Sequence, residues 1–300
     1  MDLRDLCLPE NKPEAPHKPE WLKMRFSFDK SYHDVRTLVE GLKLNTVCEE
    51  ARCPNRGECW SRGTATIMIM GDTCTRSCGF CNVKTGRPMP LEPDEPLRVA
   101  EAIRTLKLKY AVITSVDRDE LPDGGAAHFA ETIRTVHELN PQCKVEVLTP
   151  DFKGQLSSLE MVAAAKPEVF AHNMETVARL HLKVRPQAKY YRSLQVLGNA
   201  KKLGMTVKSG IMVGLGETRD EVVQVMRDLV DVGCELFTIG QYLQPSPQHL
   251  PVEEFIHPDV YLDYKHLGES LGLRHVQAGA LVRSSYRAET QEELLRSNNS

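Results

Sequence analysis

No stretch of this sequence reaches the roughly 18 consecutive apolar residues that a membrane-spanning helix needs. The N-terminus, MDLRDLCLPENKPEAPHKPE, lacks the basic-then-apolar layout of a secretory signal. Its Asp and Glu content also argues against a transit peptide, so a cytoplasmic location is expected. An excess of positive charge is missing too. Lys and Arg number 38 against 41 Asp and Glu, so no basic field points to nucleic acid or to an anionic membrane. The ten histidines form no H-x3-H pair, which leaves no histidine metal motif. Internal repeats, low-complexity tracts and a full G-x-G-x-x-G are also absent.

Cysteine is what the chain has in plenty. There are nine, and six of them crowd between Cys48 and Cys81. Without a secretory signal this density reads as metal binding rather than disulfides. Cys7, Cys143 and Cys234 are scattered and read as incidental buried thiols.

From Thr66 onward, short apolar runs alternate with amphipathic stretches. Thr66–Met70 precedes a helix at Glu95–Leu106, Ala111–Val116 precedes Ala126–Leu139, and Val145–Leu148 precedes Leu156–Ala165. Val169–Ala171, Leu194–Leu203, Ile211–Val213, Asp220–Val232 and Leu236–Ile239 continue the rhythm. The helix after Gly216 is the clearest: Thr218 and Glu221 form a capping box, Val222, Val225, Met226 and Leu229 line one face, and Gly233 ends it. Continuous apolar strands suit a parallel sheet buried on both sides. Each run is followed at once by polar residues, as in barrels whose active site gathers at the C-terminal strand ends. About six strands are counted. The expected fold is therefore α/β, an incomplete parallel (β/α)6 TIM-like barrel over residues 63–272. An N-terminal extension (1–62) and a C-terminal extension (273–300) flank it, and the first 20 or so residues form an extended arm, with Trp21 a candidate anchor.

Cys74-x3-Cys78-x2-Cys81 falls in the loop after the first strand, on the predicted active face. A zinc knuckle with a distant fourth ligand is one reading. An iron–sulfur cubane is the other: cysteine thiolates normally hold all four irons, so three leave one iron open for chemistry. Gly79 is expected to supply backbone freedom in a loop wrapped round a cluster. Cys48-x4-Cys53-x5-Cys59 again offers three thiols, around a turn shaped by Pro54 and Gly57, and the same two readings stand.

The C-x3-C-x2-C motif, with Phe80 before its last cysteine, resembles the radical S-adenosylmethionine superfamily. The upstream C-x4-C-x5-C narrows this to a resemblance to the lipoyl synthase family. "KPEWLKMR" (18–25), "TSVDRDELPDGGA" (114–126), "HNMET" (172–176), "VRPQAKYYRSL" (184–194), "KSGIMVGLGET" (208–218) and "VRSSYRA" (282–288) carry the likeness across nearly the whole chain. Arg287 departs from the His that many members have after the "RSSY" tyrosine.

The resemblance implies two 4Fe–4S clusters and S-adenosylmethionine as cofactors. Cys74, Cys78 and Cys81 would hold the radical-generating cluster. Cys48, Cys53 and Cys59 would hold an auxiliary cluster, with Ser285, or in second place Ser284, as its fourth ligand. It implies insertion of two sulfurs, at C6 and C8 of an octanoyl chain on a carrier lysine, with the auxiliary cluster as sulfur donor. No side-chain acid or base is needed, because an alkane carbon cannot be deprotonated at neutral pH and the cofactor carries the hard step. Implied partners are octanoylated lipoyl-domain proteins (2-oxoacid dehydrogenase acyltransferase subunits and the glycine cleavage H protein) and a ferredoxin or flavodoxin reductant, with no nucleic acid and no membrane.

Ser115, Asp117, Asn173, Glu175, Arg185 and Gly214 are the candidate cofactor contacts. Asn173 and Glu175 also suit an ordinary loop turn, and Arg185 an ordinary surface ion pair. The rival readings are a structural zinc protein, an electron-transfer protein with two cubanes, and a biotin synthase-like or methylthiotransferase-like enzyme. The second would need two sets of four clustered cysteines, and the chain offers two sets of three. RNA methylthiolation would ask for a basic groove.

Overall fold

The computed structural model describes residues 17–23, 30–51, 53–61 and 65–291. Cys7 and most of the expected N-terminal arm lie outside the described residues. Ahead of the barrel come α1 (Lys30–Gly41), the two-residue strand β1 (Asn45–Thr46), α2 (Val47–Glu50) and α3 (Arg56–Ser61). β2 (Thr66–Ile69) opens the parallel sheet, and a small parallel pair, β3 (Thr73–Cys74) and β4 (Lys84–Thr85), follows it. Then strand and helix alternate: α4 (Glu95–Leu106), β5 (Tyr110–Ser115), α5 (Ala126–Leu139), β6 (Lys144–Leu148), α6 (Leu156–Ala164) and β7 (Val169–Ala171). α7 (His181–Val184), α8 (Tyr190–Lys202), β8 (Val207–Val213), α9 (Arg219–Asp231), β9 (Leu236–Gln241), α10 (Pro258–Leu271) and β10 (His275–Ala278) follow.

The main sheet runs β1-β2-β5-β6-β7-β8-β9-β10. Every pairing is parallel except β1 against β2. Each strand lies beside its predecessor, the winding of a barrel, yet the edge strands β1 and β10 do not pair with one another. This is the expected incomplete barrel. All six expected strands are present, and β10 adds a seventh parallel strand inside the segment read as the C-terminal extension. Its sequence, HVQA, is only half apolar, which is why periodicity did not reveal it.

α9 has the anticipated capping box: Glu221 N–H donates to Thr218 Oγ1 at 3.3 Å and Thr218 N–H to Glu221 Oε2 at 2.8 Å. Its four predicted apolar residues are buried. In the N-terminal extension, the fully buried Trp60 of α3 packs on Tyr32 of α1, with ring centroids 5.1 Å apart. Trp21, the candidate anchor, is 42% exposed and meets the edge of His257, whereas its neighbour Leu22 is fully buried.

Lys208 of β8 and Glu146 of β6 are both buried and meet at 2.8 Å, and Tyr110 donates to the other Glu146 oxygen at 2.7 Å. β7 lies between β6 and β8, so this pair crosses the barrel interior. A buried cation held by one carboxylate makes a testable case. Lys208→Met should cost about 3–5 kcal/mol in denaturant unfolding by stranding Glu146, and adding Glu146→Leu should recover much of that loss.

Candidate active site

Met70 ends β2 in the left-handed region (φ 69°) and Gly71 continues the turn. The Met70 N–H donates to Glu95 at 2.8 Å, and its carbonyl accepts from Arg118 at 3.0 Å. The chain then enters the β3–β4 excursion that carries all three cysteines of the first motif. The Gly86 N–H donates to the Cys74 carbonyl at 2.9 Å, and the Gly79 N–H to Val184 O at 2.9 Å. From the loop after β9, the Leu250 N–H reaches Gly79 O and a His249 ring nitrogen reaches Cys81 O, each at 3.0 Å. Gly79 serves this contact rather than backbone freedom. Its φ is not positive, and a Cβ there would lie 3.0 Å from Leu250.

The second cysteine set stands on α2, α3 and the turn between them. The Cys53 N–H donates to Cys48 O at 3.1 Å and the Cys59 N–H to Asn55 O at 2.9 Å. Bonds from this segment and from the start of β2 reach the C-terminal one. Asn55 Nδ2 donates to Leu281 O at 2.7 Å, Thr66 Oγ1 to Ser285 Oγ at 2.9 Å, and Tyr286 OH to Glu58 at 3.2 Å. Cys48, Cys53, Cys59 and Ser285 all line a small cavity of about 50 Å³. Ser284 does not line it. A cavity of about 480 Å³ has Cys74, Cys78 and Cys81 on its wall together with Cys48, Cys53, Ser284 and Ser285. The structure thus brings both motifs and the serine pair around one space.

Ser115, Asp117, Asn173, Glu175 and Arg185 line the same large cavity. Among the described residues, Ser115 Oγ, Asn173 Oδ1 and Arg185 Nε are buried without a hydrogen-bond partner, and Asp117 Oδ1 lies 3.3 Å from Arg76 Nε. Buried polar atoms left open are costly unless a ligand completes them. Glu175, at φ 64°, is held by its N–H to Gly210 O and its carbonyl to the Met212 N–H, both at 2.9 Å. Burial raises its pKa, partly offset by Arg185. Gly214 does not join this group. Its missing Cβ makes room for the Gln241 amide and the Glu254 carbonyl, which would otherwise overlap it. Gln241 fills that space, donating to Glu254 O at 2.9 Å and Val213 O at 3.1 Å.

The cysteines fit a cluster-binding role. None of the six is in a disulfide. Burial pushes the Cys48 and Cys74 thiols up to about 11 and Cys81 to about 12, as it does the scattered Cys143 and Cys234. Cys74 Sγ already accepts the N–H groups of Arg76 at 3.4 Å and Asp117 at 3.3 Å. Among the described residues, no three His, Cys, Asp or Glu side chains close on one point as ligands of a single ion would; a cubane instead takes each thiolate on its own iron.

Residues 68–229 match the Radical SAM superfamily, and residues 4–53 match the N-terminal domain of lipoyl synthase of the Radical SAM family. A lipoyl synthase of Rubrobacter xylanophilus is 54% identical over 95% of this chain and 90% of its own. The mitochondrial lipoyl synthase of Nematostella vectensis is 53% identical over 92% of this chain and 96% of its own. The chain belongs to the lipoyl synthase family. Among solved structures, methylornithine synthase shares the fold at TM-score 0.52 and 15% identity, covering 87% of this chain and 86% of its own.

Membership in the lipoyl synthase family brings radical S-adenosylmethionine chemistry, with a 4Fe–4S cluster and S-adenosylmethionine as cofactors. A structural zinc scaffold is thereby replaced by an enzyme. Sequence reasoning passed over Arg76, Arg283 and Tyr242, which also line the large cavity. Tyr242 lies in the polar stretch that follows Leu236–Ile239, but nothing local marks which side chain there turns inward.

His172 and His181 are buried beside this site, and burial followed by the Arg185 cation pushes both down to about 4. Each stays neutral in the fold while the unfolded chain protonates below about pH 6.5. The unfolded state therefore binds more protons, and stability falls as pH drops from about 6.5 towards 4. His181, whose ring nitrogens are unpartnered and whose ring packs on Tyr190, isolates the effect. Relative to wild type, His181→Phe should gain about 1.4 kcal/mol of stability per pH unit below 6.5, measured by urea unfolding at pH 7, 6 and 5.

Proposed function

We propose that this chain inserts two sulfur atoms, at C6 and C8, into an octanoyl chain carried on a lysine of a lipoyl-domain protein. The observation that carries the reading is the shared cavity, which Cys48 and Cys53 of one set line together with Cys74, Cys78 and Cys81 of the other. In this reading Cys74, Cys78 and Cys81 hold the cluster that works with S-adenosylmethionine. Cys48, Cys53, Cys59 and Ser285 hold the auxiliary cluster that gives up sulfur. When bound, these groups supply hydrogen-atom abstraction and sulfide. The protein's own work is to hold, orient and shield.

Met68, Val83, Ile211, Met212, Leu243 and Val282 give the cavity an apolar wall for an alkyl chain. Ser115, Asp117, Asn173, Glu175 and Arg185 put polar atoms on the same cavity wall as Cys74, where they would orient the amino acid and ribose parts of the cofactor. Gly214 acts only indirectly, by seating Gln241 behind that wall. Ser285 is preferred to Ser284 because it alone of the two shares the small cavity with Cys48, Cys53 and Cys59. A serine oxygen is a harder donor than a thiolate and a more labile corner for iron.

The division into segments 1–62, 63–272 and 273–300 assigns the auxiliary ligands to the two outer ones, the last also supplying β10. Acyltransferase subunits of 2-oxoacid dehydrogenases and the glycine cleavage H protein are the proposed carriers, with ferredoxin or flavodoxin as reductant and the cytoplasm as location. No helix among the described residues is long and apolar enough to cross a membrane.

Anaerobic reconstitution should load about eight irons per chain and about four in Cys53→Ala, as two cubanes require. Cys53→Ala should still cleave S-adenosylmethionine to 5′-deoxyadenosine but add no sulfur to an octanoyl-lysine peptide, as followed by mass. Full thiolation by this variant would overturn the sulfur-donor assignment. Cys78→Ala should lose both reactions. Ser285→Ala should reduce product at least tenfold, and Ser284→Ala should stay within a few-fold of wild type; the reverse order would exchange the two serines.

A further inference from the structure

The first cysteine loop carries a charged group that the sulfur chemistry leaves unused. Arg76 lies between Cys74 and Cys78, with its side chain 2% exposed. Its guanidinium forks onto Asp119, Nε to Oδ2 at 2.7 Å and Nη2 to Oδ1 at 2.8 Å. Nη2 also reaches Asp151 Oδ1 at 2.6 Å, and Nε lies 3.3 Å from Asp117 Oδ1. Asp117 and Asp119 follow β5, and Asp151 follows β6. Asp151 is fully buried and also meets Arg192 at 3.2 Å and the Lys153 N–H at 3.0 Å. Asp117 brings this acidic group to the cysteine itself, its Oδ2 standing 3.8 Å from Cys74 Sγ.

An exposed salt bridge contributes little. This one is buried and forked, and removing its cation would strand carboxylates in a low-dielectric wall. An electron entering a cluster on Cys74 adds negative charge beside those carboxylates. Without the guanidinium, that step is opposed.

We propose that Arg76 is a positioning residue for the cluster on Cys74, Cys78 and Cys81: it pins the cysteine loop to the ends of β5 and β6 and offsets the carboxylate charge beside Cys74, so that the cluster can be reduced. The proposal rests on the assignment of those three cysteines to a 4Fe–4S cluster. The test is an anaerobic potentiometric titration of the full-length, reconstituted enzyme, read by electron paramagnetic resonance. The signal that changes on adding S-adenosylmethionine identifies this cluster, and the unresponsive auxiliary signal is the internal reference.

At a fixed potential, Arg76→Gln should hold about tenfold less of the responsive cluster reduced, a shift of about 59 mV for a one-electron couple. The auxiliary midpoint should not move. Arg76→Lys keeps the cation and should restore most of the shift. A wild-type midpoint in Arg76→Gln, or an equal shift of both signals, would overturn the proposal. If Arg76→Gln fails to load iron, Asp119→Asn takes its place: losing a carboxylate should raise the responsive midpoint, and an unchanged or lower one would overturn the proposal. A wild-type enzyme with no responsive signal would overturn the cluster assignment itself, and the proposal with it.

Discussion

Seven parallel strands leave this barrel open, and the site depends on what bridges the opening. β1 and β10 bound the sheet without pairing. An unpaired strand edge normally has to be covered or blunted. Here hydrogen bonds join the two ends of the chain: Asn55 to Leu281, Thr66 to Ser285, and Glu58 to Tyr286, each more than 200 residues apart in sequence. Loop-closure entropy rises only slowly with length, so such distant segments can meet at modest extra cost. Their meeting sets Ser285 beside Cys48, Cys53 and Cys59 and turns the flank of the barrel into a wall of the cavity.

The two ends of the strands treat buried polarity differently. Lys208, Glu146 and Tyr110 satisfy one another inside the barrel. Around the cavity, Ser115 and Asn173 at C-terminal strand ends and Arg185 at the end of α7 keep polar atoms unpartnered among the described residues. A fully paired group serves stability, while an open one stores a cost that a bound ligand can relieve. Met70 and Glu175 add left-handed backbone at the ends of β2 and β7, held in place by Glu95, Arg118 and β8. Strain and unmet polarity gather on the same face as the cysteines, the face where parallel barrels place their chemistry.

Much of this was legible in the residues. The helix over Arg219–Asp231 announced itself because its capping box and its 3.6-residue apolar stripe are local features. The cysteine spacings were legible for the same reason: ligand chemistry within about a dozen residues of one another needs no knowledge of the fold. β10 was missed because His275–Ala278 is short and half polar, and only its neighbour β9 makes it a strand. Gly79 was assigned backbone freedom on local grounds, but its φ is not positive and a Cβ there would meet Leu250; Gln241 likewise lies against Gly214, and both neighbours are brought close only by the fold.

The sequence alone determined the metal-binding chemistry, the repeating strand–helix units and the family likeness, since each is written in residue types at short spacing. Only the tertiary structure decided that Cys48 and Cys53 share one cavity with Cys74, Cys78 and Cys81, that Ser285 but not Ser284 lines the small cavity beside the second set, and that Arg76 gathers three carboxylates from the loops after two strands. Those are distances between residues far apart along the chain, and packing, not local pattern, fixes such distances.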